Sequence, residues 1–458
     1  MVGRFDSDSA TAGPAPAASG EPASAGQRTL ALLLKPFGRV EPAESATAAL
    51  LALNVFLLLS SYYLLKTARE PLILLQGGAE VKSYAAAGQS MLLIVVVRLY
   101  SEVARRVGRM TLVASVYLFF GANLLLFSLL ARNGVTIGIA FYLWVGIFNV
   151  TAIAQFWSFA NDIYTPEQGK RLFGVLGIGS SVGAVAGAAL AKQLAALGPA
   201  TLMLVAACTL LVCVALFFLV ERQVGGAAPG AARPAQEPIA ESGAVGKLML
   251  RRYLMLLAGL MLLLNCVNSN GEYLLDTTLL HTLHERGADR EAATTFIGEF
   301  KADYFWWVNV LGVAMQLFVV SRVLQHVGVR RALFVMPVVS ALSYGSLLLA
   351  PVLSVVRLGK IAENSLDYSL QNTARQALFL VTSRAEKYVG KTVIDTLIVR
   401  VGDVISAGLV WSVTRLQLPV RALAGLNLLL IVGWVLVLIA IGREHRRREL
   451  RDAGEEPA

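Results

Sequence analysis

The chain has 458 residues, 56% of them hydrophobic and 15% charged, with a net charge of +10 and a mean hydropathy of +0.64. A soluble protein of this length needs far more charge to cover its surface, so the composition excludes a water-soluble globular chain and leaves lipid as the solvent. The excess of Lys and Arg is not the footprint of a nucleic-acid binder, because those residues gather at the ends of apolar segments and in short loops.

Residues 1–40, rich in Ala, Pro, Ser and Gly, are expected to be disordered, within a cytoplasmic tail reaching residue 45. No short apolar stretch with a cleavage site precedes the first long segment, so no signal peptide is expected. Apolar windows of about 20 residues, the length that spans a bilayer core, then recur. In the first half they cover 46–66, 83–104, 110–131, 136–161, 171–196 and 199–221. The stretch Ala228–Glu241, rich in Ala, Pro and Gly, marks a cytoplasmic linker over 222–250. The second half, 251–442, gives 252–277, 300–325, 331–350, 353–381, 388–414 and 421–442, followed by a charged tail over 443–458.

The basic residues fall on alternate breaks: Arg105, Arg106 and Arg109, then Lys170 and Arg171, Arg330 and Arg331, Arg384 and Lys387, and Arg443, Arg446, Arg447 and Arg448. With both termini cytoplasmic they all lie on one side, as the positive-inside rule expects, and a bacterial inner membrane is the expected location. Cys208, Cys213 and Cys266 sit inside apolar segments and read as packing residues.

The halves look like repeats. Ser101, Val103, Val107 and Gly108 match Ser321, Val323, Val327 and Gly328 after each second segment. Glu167, Gly183 and Gly187 match Glu386, Gly402 and Ser406 around each fifth, and Tyr63–Thr67 matches Tyr273–Thr277 at the end of each first. Two six-helix halves joined by a linker is the major-facilitator plan, which has its substrate site between the halves near the midplane. The run Gly179, Gly183, Gly187 puts three glycines on one helix face, a signature of close helix packing.

Charges inside such segments cost roughly 3 kcal/mol each at the bilayer centre. Lys66, Arg69 and Glu70 close the first segment, Arg98 lies late in the second, and Glu272 and Asp276 lie late in the seventh. Lys301 and Asp303 open the eighth, near enough to water to need no special role. In the tenth, Lys360, Glu363, Asn364, Asp367, Gln371 and Arg375 recur at helical spacing along one stripe. Facing lipid, that stripe would cost on the order of 10 kcal/mol, so it is expected to face protein or a water-filled cavity. The eleventh adds Lys391 and Asp395 on one face, and Arg400 and Asp403 on another.

His281, His284 and Glu285 mimic a metal motif, but they read as loop residues with no third ligand, so no metal or other cofactor is expected. No phosphate loop and no nucleophile–base pair stands out, which points away from an enzyme.

The run Phe156–Asp162, with Glu167, Lys170, Arg171 and Phe173 after it, resembles the fourth-to-fifth helix signature of the ATP/ADP translocases of plastids and intracellular bacteria. Tyr368–Leu370, Arg375, Gly390–Lys391 and Ile394–Asp395 resemble that family's tenth-to-eleventh helix region. Leu65, Lys66, Arg69 and Glu70 resemble its first-helix element, and Asn268 with Glu272 its seventh-helix stretch. The resemblance implies exchange of ATP for ADP by alternating access, with Arg69, Glu272 and Lys391 as transport residues. Three positions depart from the family pattern: Tyr142 and Gln376 replace acids, and Asp276 replaces a base.

A nucleotide brings three to four negative charges, which Arg69, Lys66, Lys360, Arg375 and Lys391 are candidates to hold, with Glu272 and Asp367 in the same substrate-binding set. Glu363, Asp276, Asp395 and Asp403 are the candidate coupling or gating acids. Two other classes stay open: a proton-coupled transporter of another small metabolite, and a membrane scaffold or sensor that keeps the transporter shell.

Overall fold

A computed structural model describes residues 24–34, 40–224, 249–379, 382–383, 386 and 390–452. Most of the expected N-terminal tail and of the 222–250 linker, with Arg384 and Lys387, lies outside these residues. Within the tail, Ala25–Leu34 is helical rather than irregular, because its Ala- and Leu-rich run favours helix. The Ser45 hydroxyl donates to the Gln27 carbonyl at 3.1 Å and ties that short helix to the next.

The described residues contain helices and no strand, and ten helices are long and apolar enough to cross a membrane. Two further observations turn ten into twelve crossings. The run Pro42–Arg106 has 65 residues, roughly three bilayer thicknesses at about 1.5 Å per residue. It reverses at Gly78, whose φ of 73° only glycine adopts freely. Lys82 therefore meets Glu70 at 2.5 Å, which a straight helix forbids across twelve residues. Helix 1 is thus 42–77 and helix 2 is 79–106. The second addition is helix 10, Leu353–Leu366 continued to Ala377, whose charged stripe keeps it off the apolar count.

Helices 3 to 6 are Arg109–Arg132, Gly138–Ile163, Pro166–Leu194 and Pro199–Val224. Helix 7 is Arg252–Glu285. Helix 8 begins at Arg290 and runs to His326 through a π turn, Gln316–Val320. Helix 9 comprises Val329–Ala332 and Val335–Leu349, helix 11 runs Lys391–Arg415, and helix 12 is Val420–Asp452. Two more π turns, Asp367–Gln371 and Ile394–Ile398, interrupt helices 10 and 11.

Helices 7 and 8 extend well past the expected 252–277 and 300–325, so residues read as a loop are helical. The hairpin is short because Gly287 takes φ 60° and the Asp289 side chain caps helix 8 by accepting from the Ala292 amide at 2.8 Å. His281 and Glu285 consequently sit one turn apart on a helix, 3.5 Å from each other, rather than in a loop. Among the described residues no cluster suited to a metal occurs.

Each half has its own apolar core, one built from helices 1 to 6 and the other centred on helices 7 to 12. The glycine run of helix 5 packs against helix 1. A methyl group on Gly183 would stand 2.4 Å from the Phe56 carbonyl oxygen, and one on Gly187 would stand 2.5 Å from Ser60 Cα. The second half repeats the contact between helices 11 and 7. Cys266 lies 3.4 Å from the Gly402 carbonyl, and Ser406 donates to Asn270 at 2.7 Å. Between the halves, helix 5 packs on 8, helix 2 on 11, and the hairpin of helices 1 and 2 on 7 and 8. Even helix number brings Pro42, the start of helix 1, and Asp452, the end of helix 12, to one face, and the Gly78 hairpin lies at the other.

Candidate functional site

A cavity of about 300 Å³ lies where helices 1, 2 and 4 face helices 7, 8, 10 and 11. Helix 1 contributes Lys66, with Arg69 and Glu70 three and four residues further on and so about one turn away on the same side. Lys66 points its ammonium at aromatic faces, 4.2 Å from the ring centre of Phe305 and 5.3 Å from that of Tyr63. Among the described residues no carboxylate pairs with it. Arg69 stacks over the Tyr142 ring at 4.5 Å and spends only its Nε on Glu70, at 3.1 Å. Its Nη atoms are left for the cavity.

Beside them lies a buried square of charge. Lys82 Nζ reaches Glu70 at 2.5 Å and Asp276 at 2.7 Å, while Lys301 reaches Asp276 at 2.5 Å and Glu70 at 3.5 Å. Lys301 is fully buried, contrary to the expectation that it sits near water, because helix 8 starts ten residues earlier than its apolar window. Asp303, by contrast, stays partly exposed as expected, paired with Lys192 of helix 5 across the halves and with Arg357 of helix 10. An isolated buried charge costs several kcal/mol, and mutual pairing is what makes these positions tolerable.

A second network adjoins it, one turn back along helix 7. Glu272 accepts from Tyr304 at 2.9 Å and from Asn364 at 3.0 Å, and lies 3.9 Å from Lys360. Lys360, behind the wall, donates to Asn268 at 2.7 Å and to Glu363 at 3.0 Å; Glu363 also accepts from Tyr344 at 3.2 Å. Gly271 makes room for it, since a methyl group there would stand 3.0 Å from the Lys360 ammonium. Asp403 closes the floor, accepting from Asn265 at 2.7 Å and, across the halves, from Ser90 at 2.7 Å.

Of the candidate residues, Lys66, Arg69, Glu272, Asp276 and Asp403 line the cavity, and Lys360 and Glu363 stand behind its wall. Asp367, Arg375, Lys391 and Asp395 are not part of the lining. Arg375 donates to Asn372 at 3.1 Å, and the Lys391 ammonium lies 5.8 Å from the Phe379 ring centre. Lys82, Gln89 and Tyr304 were not singled out from the sequence. Lys82 fell in the break between two apolar windows; the Gly77–Gly78 pair was the available sign of a tight hairpin there.

Two bundles of six helices with a charged cavity between them have the architecture of a multi-pass secondary transporter. Residues 45–362 match the Major Facilitator Superfamily, and the chain belongs to that family. It is 24% identical over 291 residues to ADP,ATP carrier protein 1 of Chlamydia muridarum (strain MoPn / Nigg), a match covering 54% of this chain. The chain spans about half the length of that relative, 53%. The fold is similar to the crystal structure of the nucleoside transporter NupG, with a TM-score of 0.65 at 11% identity over 87% of this chain and 98% of that one. It is also similar to a POT family transporter in complex with a thioalcohol-conjugated peptide, with a TM-score of 0.61 at 13% identity over 88% and 96%.

Proposed function

We propose that the chain exchanges nucleotides, or closely related phosphorylated anions, by alternating access. The observation that carries this reading is the pair Lys66 and Arg69: two cations on one helical turn, held against aromatic rings, with donors left for an anion. Charge-assisted hydrogen bonds to phosphate are the strong ones, and Arg offers a planar fork for them. Tyr142 and Tyr368 add aromatic surface to the same cavity, suited to a base or sugar. The translocase-like segments and the ADP,ATP carrier relative support the same substrate class. Glu272 and Asp276 do not oppose it, because Lys360, Lys82 and Lys301 counter them.

The face carrying the chain ends is cytoplasmic in this proposal, since the basic breaks gather there, and the membrane is the bacterial inner one. Residues 46–221 and 251–442 move as the two halves. The deciding experiment uses purified protein in liposomes loaded with ADP and given labelled ATP outside. Uptake that depends on internal ADP supports the proposal; well-folded protein that exchanges no phosphorylated solute ends it. A proton-coupled reading has one observation in its favour: Asp367 has a buried carboxylate oxygen with no hydrogen-bond partner. Uptake of a neutral or cationic solute driven by an imposed proton gradient is its signature.

A further inference from the structure

The buried square of Glu70, Lys82, Asp276 and Lys301 joins the halves near the face where the Gly78 hairpin lies. Opening that face separates helices 1 and 2 from helices 7 and 8, and the charges then divide unequally. Lys301 keeps Asp276, its neighbour at 2.5 Å within the second half. Glu70 keeps Lys82 and Arg69, and Lys66, about one turn back on helix 1, has no carboxylate among the described residues, so the first half is left with three cations for one carboxylate. Two contacts are lost, Lys82 with Asp276 and Lys301 with Glu70. Of the four side chains Lys82 is the most exposed, 10% against 0–1% for the others, and it lines the cavity.

We propose that Lys82 is the coupling residue of the exchange: its ammonium is held by Asp276 in the state described and passes to the substrate's anionic group when the hairpin face opens. The proposal rests on the phosphorylated-anion reading of the cavity. Parting the halves sacrifices the buried Lys82–Asp276 and Lys301–Glu70 pairs; a bound anion offsets that loss, and an empty carrier, with nothing to replace Asp276, stays shut. Exchange is then obligatory, because only a bound anion lets the halves part on that side. A neutral or cationic solute offers no such replacement for Asp276.

The test reads access to the cavity from the hairpin face. Ser269, in the cavity wall, is replaced by cysteine in full-length protein whose Cys208, Cys213 and Cys266 are changed to alanine. An impermeant maleimide is applied on the hairpin side of oriented vesicles, with ADP as the probe ligand. Labelling is expected to be slow without ADP and at least fivefold faster with it. Lys82→Gln is expected to label fast without ADP, to gain nothing from it, and to let loaded ADP leave without a counter-substrate. Lys82→Arg keeps the charge and should retain the ADP response.

Unchanged wild-type labelling under saturating ADP, while ATP/ADP exchange proceeds, overturns the proposal without reference to any variant. So does a Lys82→Gln protein that responds to ADP as the wild type does. If the wild type exchanges no nucleotide while Lys82→Gln still labels fast unaided, the nucleotide reading falls and the gate is upheld.

Discussion

The Tyr63 hydroxyl of helix 1 donates to Asn309 Oδ1 of helix 8 at 2.9 Å, so the two halves share a hydrogen bond beside the cavity. The Tyr63 ring meets Phe305 edge to face, with centroids 6.1 Å apart, and Phe305 is the ring nearest the Lys66 ammonium. The seat of Lys66 is therefore built jointly by both halves.

Arg69 and Lys66 should dominate anion binding. One charge-assisted hydrogen bond to phosphate contributes about 1.5–3 kcal/mol, so Arg69→Gln should weaken nucleotide uptake roughly ten- to a hundredfold. Arg69→Lys should recover part of it, because a point charge lacks the planar fork. Arg375→Gln, outside the cavity lining, should cost less than Arg69→Gln. Initial rates in ADP-loaded liposomes give the comparison, and equal losses for Arg69 and Arg375 would move the binding site toward helix 10.

The buried pair Lys360–Glu363 should behave as a unit. Removing one partner leaves a lone buried charge, worth about 3–5 kcal/mol of destabilisation. Lys360→Met alone should lower the thermal midpoint in detergent strongly, and Lys360→Met with Glu363→Leu should recover much of the loss. Additive losses in the double variant would show that the two side chains stand in separate environments.

Close approach of helices 1 and 5 makes Gly183 and Gly187 intolerant of size. Gly183→Leu should abolish folded protein, judged by monodisperse elution, because even a methyl group there meets the Phe56 backbone. Gly177→Ala has open space at the same helix and should elute like the wild type.

On the face of the chain ends, Glu386 ties three segments together. Burial alone would raise its pKa. Hydrogen bonds from Arg448 at 3.0 Å, the Ser383 amide at 3.0 Å and Arg251 at 3.2 Å outweigh that and hold it below its ordinary 4.5. A depressed folded value means stabilisation that is complete above about pH 4.5 and fades as the pH falls through the folded value. The gap in thermal midpoint between wild type and Glu386→Gln should accordingly be widest at pH 7 and close in acid. A gap independent of pH would show that the contact does not depend on ionisation.

Reporters fused after Arg222 and after Leu450 should both read cytoplasm. The even number of crossings and the basic breaks on one side demand it together, and an external signal at either point would refute the orientation.

Hydropathy made the crossings and the two halves legible, and the glycine spacing of helix 5 announced its contact with helix 1. The charged square was not legible as such. Glu70, Lys82 and Lys301 lower the local hydropathy, so each was read as an edge or a loop, and helices 1, 7 and 8 looked shorter than they are. A windowed average scores each residue against lipid. It carries no information about a counter-charge on another helix hundreds of residues away, such as Asp276 for Lys82. The helix 10 stripe was visible because its charges lie along one helix. Which of them reach the cavity depends on the helix's depth and on the π turn at Asp367–Gln371, neither of which spacing encodes.

The π turns of helices 8, 10 and 11 have a mechanical consequence. Among the described residues π geometry occurs there and at Glu386 and Gly390, and nowhere in the first half. A π turn interrupts the regular ladder of backbone bonds and gives a helix a point of easy bending. In the first half the regular ladder is interrupted instead by Pro71, inside helix 1. The second half therefore carries its bending points along helices 8, 10 and 11, three of the helices that line or flank the cavity.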